Sequence, residues 1–212
     1  MIIAIDGPAA SGKGTLARRI GALLGFHVLD TGLLYRAVAR DVHAMGFRLD
    51  DPWAALAAAR GLDTGRLDDP DLRGVASGER ASVVARIPEV RLALLAFQRA
   101  FARRAPGAVL DGRDIGTVIC PDADVKIYVT ATPDVRAERR FREHQANDEA
   151  ACYDDVLADI KARDARDQSR AIAPLRPAPD ALLLDTTELD IDAAFDAAVG
   201  LIKRKIGQQG AP

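Results

Sequence analysis

Apolar positions along the chain follow two alternating rhythms. Short, nearly unbroken apolar runs recur at Ile2–Asp6, His27–Asp30, Ala108–Asp111, Val125–Val129 and Ala181–Asp185. Runs of this length predict strands buried on both faces. Between them, apolar residues recur three and four apart, as Leu16, Ala17, Ile20, Leu23 and Leu24 do after the first strand. Helices are expected at about 13–24, 31–46, 88–104, 133–147, 151–170 and 190–206, with Pro88 suited to a first helical turn. The alternation predicts an α/β fold with a parallel sheet covered by helices on both faces. In such sheets ligands bind outside the carboxyl ends of the strands, and several of these strands end in Asp.

Two segments break the rhythm. Residues 61–80 carry Asp63, Asp68, Asp69 and Asp71 among glycines and read as a mobile insertion. Residues 139–170 carry Arg139, Arg140, Arg142, Lys161, Arg163, Arg166 and Arg170, with Asp159, Asp164 and Asp167 between them. A solvated, salt-bridged helix face and a cationic lid over phosphates both fit that pattern.

Composition narrows the class. The 212 residues suit one domain, and an apolar half supplies a core without metal or disulfide staples. A net charge of −2 argues against a nucleic-acid coat protein. Arginine outnumbers lysine 24 to 5, a skew of genomic composition that also suits phosphate binding. Cys120 and Cys152 form no disulfide framework and no metal pattern, which points to a reducing cytoplasm. No secretory leader or bilayer-spanning run is visible. His27, His43 and His144 lie far apart and are read as structural or surface residues.

The first strand runs directly into Gly7-Pro8-Ala9-Ala10-Ser11-Gly12-Lys13, and a helix follows. Strand, glycine loop with lysine, and helix together read as a phosphate-binding loop. Its glycines let successive N–H groups curl around phosphate oxygens, and the helix N-terminus and Lys13 add positive charge. The plainer alternative is a glycine turn with a surface lysine. The magnesium-binding hydroxyl usually follows the lysine directly, but here Gly14 intervenes before Thr15. G-K-G-T resembles the nucleoside monophosphate kinases, with Mg²⁺ left mainly to phosphates and water.

Two further loops carry chemistry. After the second strand come Thr31, expected to cap the next helix, and Arg36 just over one turn on. After the third comes Asp111-Gly112-Arg113-Asp114-Ile115-Gly116-Thr117, with Asp111 suited to orienting magnesium-bound water.

These motifs are similar to those of the bacterial cytidylate kinases, which move the γ-phosphate of ATP to CMP or dCMP. The resemblance rests on GPAASGKGT (7–15), LDTGLLYR (29–36), ASVVARIPEVR (81–91), DGRDIGTVICPDADVKIYV (111–129) and ARDARDQSRAIAPL (162–175). Together they cover most of the chain in family order. The resemblance implies a three-layer P-loop kinase fold around a five-stranded parallel sheet, with residues 1–212 forming a single kinase domain. Within it, about 61–80 would be a shortened NMP-binding insert and about 139–170 the lid.

The family's residue roles carry over by position. Gly7, Pro8, Ala9, Ala10, Ser11, Gly12, Lys13, Gly14 and Thr15 would bind the ATP phosphates. Arg36 and Arg113 would hold the CMP phosphate, with Thr31 beside it. Ser82, Arg91 and Asp114 would read the cytosine. Arg163 and Asp167 would contact the sugar, and Arg170 would reach the phosphates. Lys13, Arg113, Arg139, Arg140 and Arg170 are the implied catalytic cations, the middle pair in the lid. The implied cofactors are ATP and Mg²⁺, with Thr15 and Asp111 near the metal through water. The implied partners are these small molecules, with no nucleic acid and no membrane, for a cytoplasmic monomer.

Three departures stand out: Ala10 at a position often glycine, Thr31 where Ser is common, and the shortness of 61–80. The last leaves room only for a loop or short helix there. Two other readings stay open at this point. One is a P-loop kinase for UMP, AMP or a metabolite. The other is an ATP-binding regulatory module without an acceptor.

Overall fold

A computed structural model describes residues 1–146 and 150–209. The fold is three-layer α/β around a five-stranded parallel sheet, as the rhythm predicts. Its strands are β1 (Ile2–Asp6), β2 (His27–Asp30), β3 (Ala108–Gly112), β4 (Val125–Thr130) and β5 (Leu182–Asp185), in spatial order β2-β3-β1-β4-β5. β1 lies at the centre, pairing Ile5 with Asp111 on one side and with Ile127 on the other. The loops after β1 and β3 therefore leave the same edge of the sheet side by side.

The chain forms two compact units, Met1–Leu29 with Phe101–Pro212, and Asp30–Ala100. The first contains α1 (Lys13–Leu24), α6 (Pro133–Ala146), α7 (Tyr153–Gln168) and α8 (Ile191–Gln209). Ile3, Ile5 and Ile127 pack with Leu16 and Ile20 of α1 and Ala194, Ala198 and Ile202 of α8. Each such isoleucine withdrawn from water contributes about 1.5–3 kcal/mol. Residue 147, the expected end of α6, lies with 148 and 149 of the 139–170 segment outside the described residues.

The second unit holds α2 (Thr31–Ala44), α3 (Pro52–Arg60), α4 (Val75–Val84) and most of α5 (Pro88–Ala102). Its core joins Leu34, Val38 and Val42 to Ala55, Val84, Val90 and Leu94. Helices α3 and α4 were absent from the periodicity reading. α3 is alanine-rich and weakly amphipathic, although Asp51 caps it by accepting from the Trp53 and Ala54 amides. Residues 61–80 are more integrated than their composition suggested. Two short helical turns (64–66 and 70–72) lead into α4, and Leu72 is fully buried among Leu33 and Ala37, with Leu62 and Leu67 beside it. Those three leucines are five residues apart, a spacing that matches neither helix nor strand.

Candidate active site

The β1–α1 loop has the geometry of a phosphate cradle. A Cβ at Gly7 would lie 2.0 Å from the Val129 carbonyl oxygen, so the backbone passes where no side chain fits. Gly12 (φ 87°) leads into α1, and no side chain caps that helix. The first N–H groups of α1 are thus left to an external anion. Ser11 Oγ is buried and without a hydrogen-bond partner among the described residues, an orphan that a phosphate oxygen would satisfy. Ala10 takes up the left-handed conformation (φ 57°) that its usual glycine would adopt freely.

Lys13 opens α1, and its Nζ donates to the Pro8 carbonyl at 3.1 Å while lying 3.9 Å from Asp111 Oδ1. The sequence oddity at Gly14 has a steric cause. A Cβ there would sit 3.0 Å from Asp111 Oδ2, so the position behind the lysine stays bare where the carboxylate approaches. Thr15 follows, its Oγ1 accepting from Arg18 Nη2 at 3.3 Å. Among the described residues no three His, Cys, Asp or Glu side chains form a metal cage. One buried acid beside the loop lysine, with a loop hydroxyl nearby in sequence, fits Mg²⁺ held mostly by phosphate oxygens and water.

Two residues beyond Asp111, Arg113 enters a cationic cluster. Its Nε donates to Asp167 Oδ2 at 3.0 Å. Arg170 Nη2 donates to Oδ1 of the same carboxylate, and Arg163 Nε stands 4.0 Å from it. Asp167 is 1% exposed. Burial works to raise its pKa, but Arg113, Arg170 and Arg163 outweigh that and hold it below the usual carboxylate value. Three guanidiniums around one carboxylate leave an excess of positive charge, the condition for binding a phosphate. The structure thus brings together four of the residues singled out from sequence.

The remaining acceptor candidates lie in the second unit. Asp30, not Thr31, caps α2, accepting from the Gly32 amide at 2.9 Å. A carboxylate one residue earlier already serves as the cap, and Thr31 becomes the first helical residue, with its side chain buried. Arg36 Nη1 donates to the Leu72 carbonyl at 2.8 Å, which ties α2 to the 70–72 turn. Arg91 donates to the Ala85 carbonyl at 3.3 Å and lies 5.5 Å over the Tyr35 ring. Ser82 is buried on α4, and Asp114, in the first unit, is buried at the head of the 115–119 turn.

The cytidylate kinase family model matches residues 3–204. The chain belongs to the cytidylate kinase family. Membership makes it an enzyme, a nucleoside monophosphate kinase. ATP and Mg²⁺ are typical of that family. A cytidylate kinase of Azorhizobium caulinodans is 60% identical over 207 residues, covering 98% of this chain and 100% of its own. One from Methylocella silvestris is 59% identical over 203 residues, covering 96% and 94%. Among solved structures, an uncharacterized protein from Eubacterium ventriosum is similar with a TM-score of 0.58 and 13% identity, over 96% of this chain and 98% of its own. That likeness concerns the fold alone.

Helices α6 and α7 carry most of the arginine-rich stretch at 139–170. Between the helices lies a small apolar core, in which Ala137, Val156 and Ile160 pack with Ala9 of the phosphate loop. Arg139 donates to Thr186 Oγ1 at 3.1 Å and to the Thr186 carbonyl at 2.6 Å, and burial lowers its pKa. Thr186 Oγ1 in turn donates to the Ser11 carbonyl at 3.2 Å. Arg140 pairs with Glu143 at 3.1 Å. Among the described helices none is long and apolar enough to cross a membrane.

Sequence reading missed Arg136. It is 3% exposed and donates to the Ala9 carbonyl at 3.3 Å, to the Ala131 carbonyl at 2.9 Å, and to both oxygens of Asp164. A signal was present. Arg136 precedes Arg140 by four residues on one helix face, and Asp164 stands within the Arg/Asp alternation of 139–170. Thr186, at the end of β5, carried no local pattern at all.

Proposed function

We infer that the chain transfers the γ-phosphoryl group of ATP to the phosphate of CMP and dCMP, giving CDP or dCDP and ADP. The observation that carries this reading is the exit of β3. It sets Asp111 against the donor lysine, Lys13, and two residues later sets Arg113 into the Arg163–Asp167–Arg170 cluster. A nucleotide-binding module without an acceptor has no need of that second cationic site.

The reaction is an in-line displacement. A non-bridging oxygen of the CMP phosphate forms a bond to the γ-phosphorus, and the bond from that phosphorus to the β–γ bridging oxygen breaks. The acceptor is already anionic, so no strong general base is required. Residues 7–15 bind the triphosphate, with Lys13 on the β- and γ-phosphates. Arg113, Arg170 and Arg36 neutralise and orient the acceptor phosphate, with Thr31 beside it, and Arg139 and Arg140 belong to the lid at about 139–170. Catalysis is then positioning plus charge neutralisation. Asp111 and Thr15 would hold Mg²⁺ through water, and the ion would supply charge neutralisation at the phosphates. The lid keeps water from the γ-phosphate.

Asp114 accepts from the C4 amine of cytosine, with Ser82 and Arg91 completing base recognition. The same carboxylate faces a carbonyl acceptor in uracil, which rejects it. Arg163 and Asp167 contact the sugar. The 61–80 segment is the shortened NMP-binding insert, and the enzyme acts as a cytoplasmic monomer. The test is a coupled ADP-release assay with CMP, dCMP, UMP and AMP. Turnover led by CMP and dCMP is expected. Faster turnover with UMP or AMP overturns the assignment of the base.

A further inference from the structure

Asp6 is the last residue of β1, immediately before Gly7 of the phosphate loop. Its carboxylate is 4% exposed and points to the neighbouring loop rather than to solvent. Oδ1 accepts from the Ile115 amide at 2.8 Å, and Oδ2 accepts from the Gly116 amide at 2.8 Å. These are the two residues that follow Arg113 and Asp114. The approach is close, since a Cβ at Gly116 would lie 3.4 Å from Oδ2 and 3.2 Å from Lys126 Cδ. From the other side, the Asp114 carbonyl accepts from the Val118 and Ile119 amides at 2.9 and 3.1 Å, which closes the turn on itself.

We propose that Asp6 is a positioning residue for the CMP site, clamping the Arg113–Gly116 loop to the end of β1, from which the ATP loop departs, so that acceptor and donor are set from one carboxylate. The inference rests on the reading of Arg113 and Asp114 as CMP-binding residues. Two charge-assisted bonds to consecutive amides fix both the height and the rotation of the loop, which a single bond does not. Burial pushes the Asp6 carboxyl up to about 7, reinforced by Asp114 and Asp111, while the two amides pull the other way. The two amides favour the carboxylate form and keep its pKa below what burial alone would set.

Asp6→Asn is the discriminating substitution. It keeps the shape and one acceptor oxygen but turns an NH₂ donor toward one of the two amide donors. The loop then loses one anchor and meets a repulsive contact. Steady-state kinetics with CMP and UMP, and ATP binding without acceptor, would be measured on the wild type and the variant. At least a tenfold rise in KM for CMP and a narrowed CMP-over-UMP ratio are expected, with ATP affinity changed less than threefold. A purely structural role would instead lower the melting temperature and scale all parameters together. Unchanged CMP KM and selectivity in folded Asp6→Asn overturn the proposal. Failure of the wild type to release ADP with CMP overturns the functional reading itself.

If Asp6→Asn does not fold, Gly116→Ala crowds the same contact from the loop side. A loss selective for CMP is expected there, and equal losses for CMP and ATP overturn the proposal.

Discussion

Arg136 holds Asp164 through two parallel hydrogen bonds, Nη1 to Oδ1 at 3.0 Å and Nη2 to Oδ2 at 2.5 Å. The same guanidinium reaches the Ala9 carbonyl in the phosphate loop. One side chain therefore ties α6 to α7 and both to the backbone of the Gly7–Thr15 loop. Arg136→Ala should destabilise the protein by about 3 kcal/mol, because it strands a largely buried carboxylate. Arg136→Lys should recover little of this, since an ammonium cannot reproduce the fork. Urea unfolding midpoints of the two variants check this, and near-wild-type stability in Arg136→Lys would remove geometry from the explanation.

Asp114→Ala should relax base selectivity more than it lowers phosphoryl transfer. The missing carboxylate no longer rewards the cytosine amine or penalises the uracil carbonyl. The kcat/KM ratio for CMP over UMP should fall at least tenfold. An unchanged ratio would take Asp114 out of base recognition.

How much of this was legible in the sequence varied with the physics of each element. All five strands were, but only β1, β3 and β4 are buried on both faces; the edge strands β2 and β5 are partly exposed, with Leu183 facing solvent, so their apolar runs overstated their burial. The phosphate loop was also legible, because glycine and lysine spacing encodes its backbone directly. The Arg113–Asp167 contact was not, since it joins residues 54 apart and only the fold brings them together. Residues 61–80 misled by composition. Acidic residues hid a buried Leu72, and Asp69 turns out to pair with Arg40 at 3.0 Å. Gly14 was visible as a departure from the usual motif, but its steric cause is the Asp111 carboxylate, a contact between segments far apart in sequence.

Ala10 offers a substitution in the stabilising direction. An L-residue in the left-handed region costs roughly 1–2 kcal/mol, and glycine does not bear that cost. Glycine in turn gains entropy in the unfolded chain, which removes up to about 1 kcal/mol of the benefit. Ala10 also packs against the α6–α7 core, so its methyl contributes some burial. A net change within about 1 kcal/mol of wild type is expected for Ala10→Gly, on the stabilising side. A loss of more than 1 kcal/mol in urea unfolding would show that the methyl contact outweighs the strain.

The Asp167 cluster makes stability depend on pH with a definite sign. Its folded-state pKa lies below the ordinary 3.8, because three arginines favour the carboxylate more than burial disfavours it. The folded state therefore binds this proton more weakly than the unfolded state does. The resulting stabilisation is fully present above about pH 4 and is lost as pH falls through the folded value. Asp167→Asn removes the charge at every pH and leaves Arg113, Arg163 and Arg170 to repel one another. At pH 7 the variant should be less stable by about 3 kcal/mol or more. Below pH 4 the gap should narrow, because the unfolded wild-type chain then takes up the proton that the folded state binds more weakly. Urea midpoints of both proteins between pH 7 and pH 3 measure that gap directly. A gap that stays constant across the range would mean that Asp167 acts through its shape and hydrogen bonds and not through its charge.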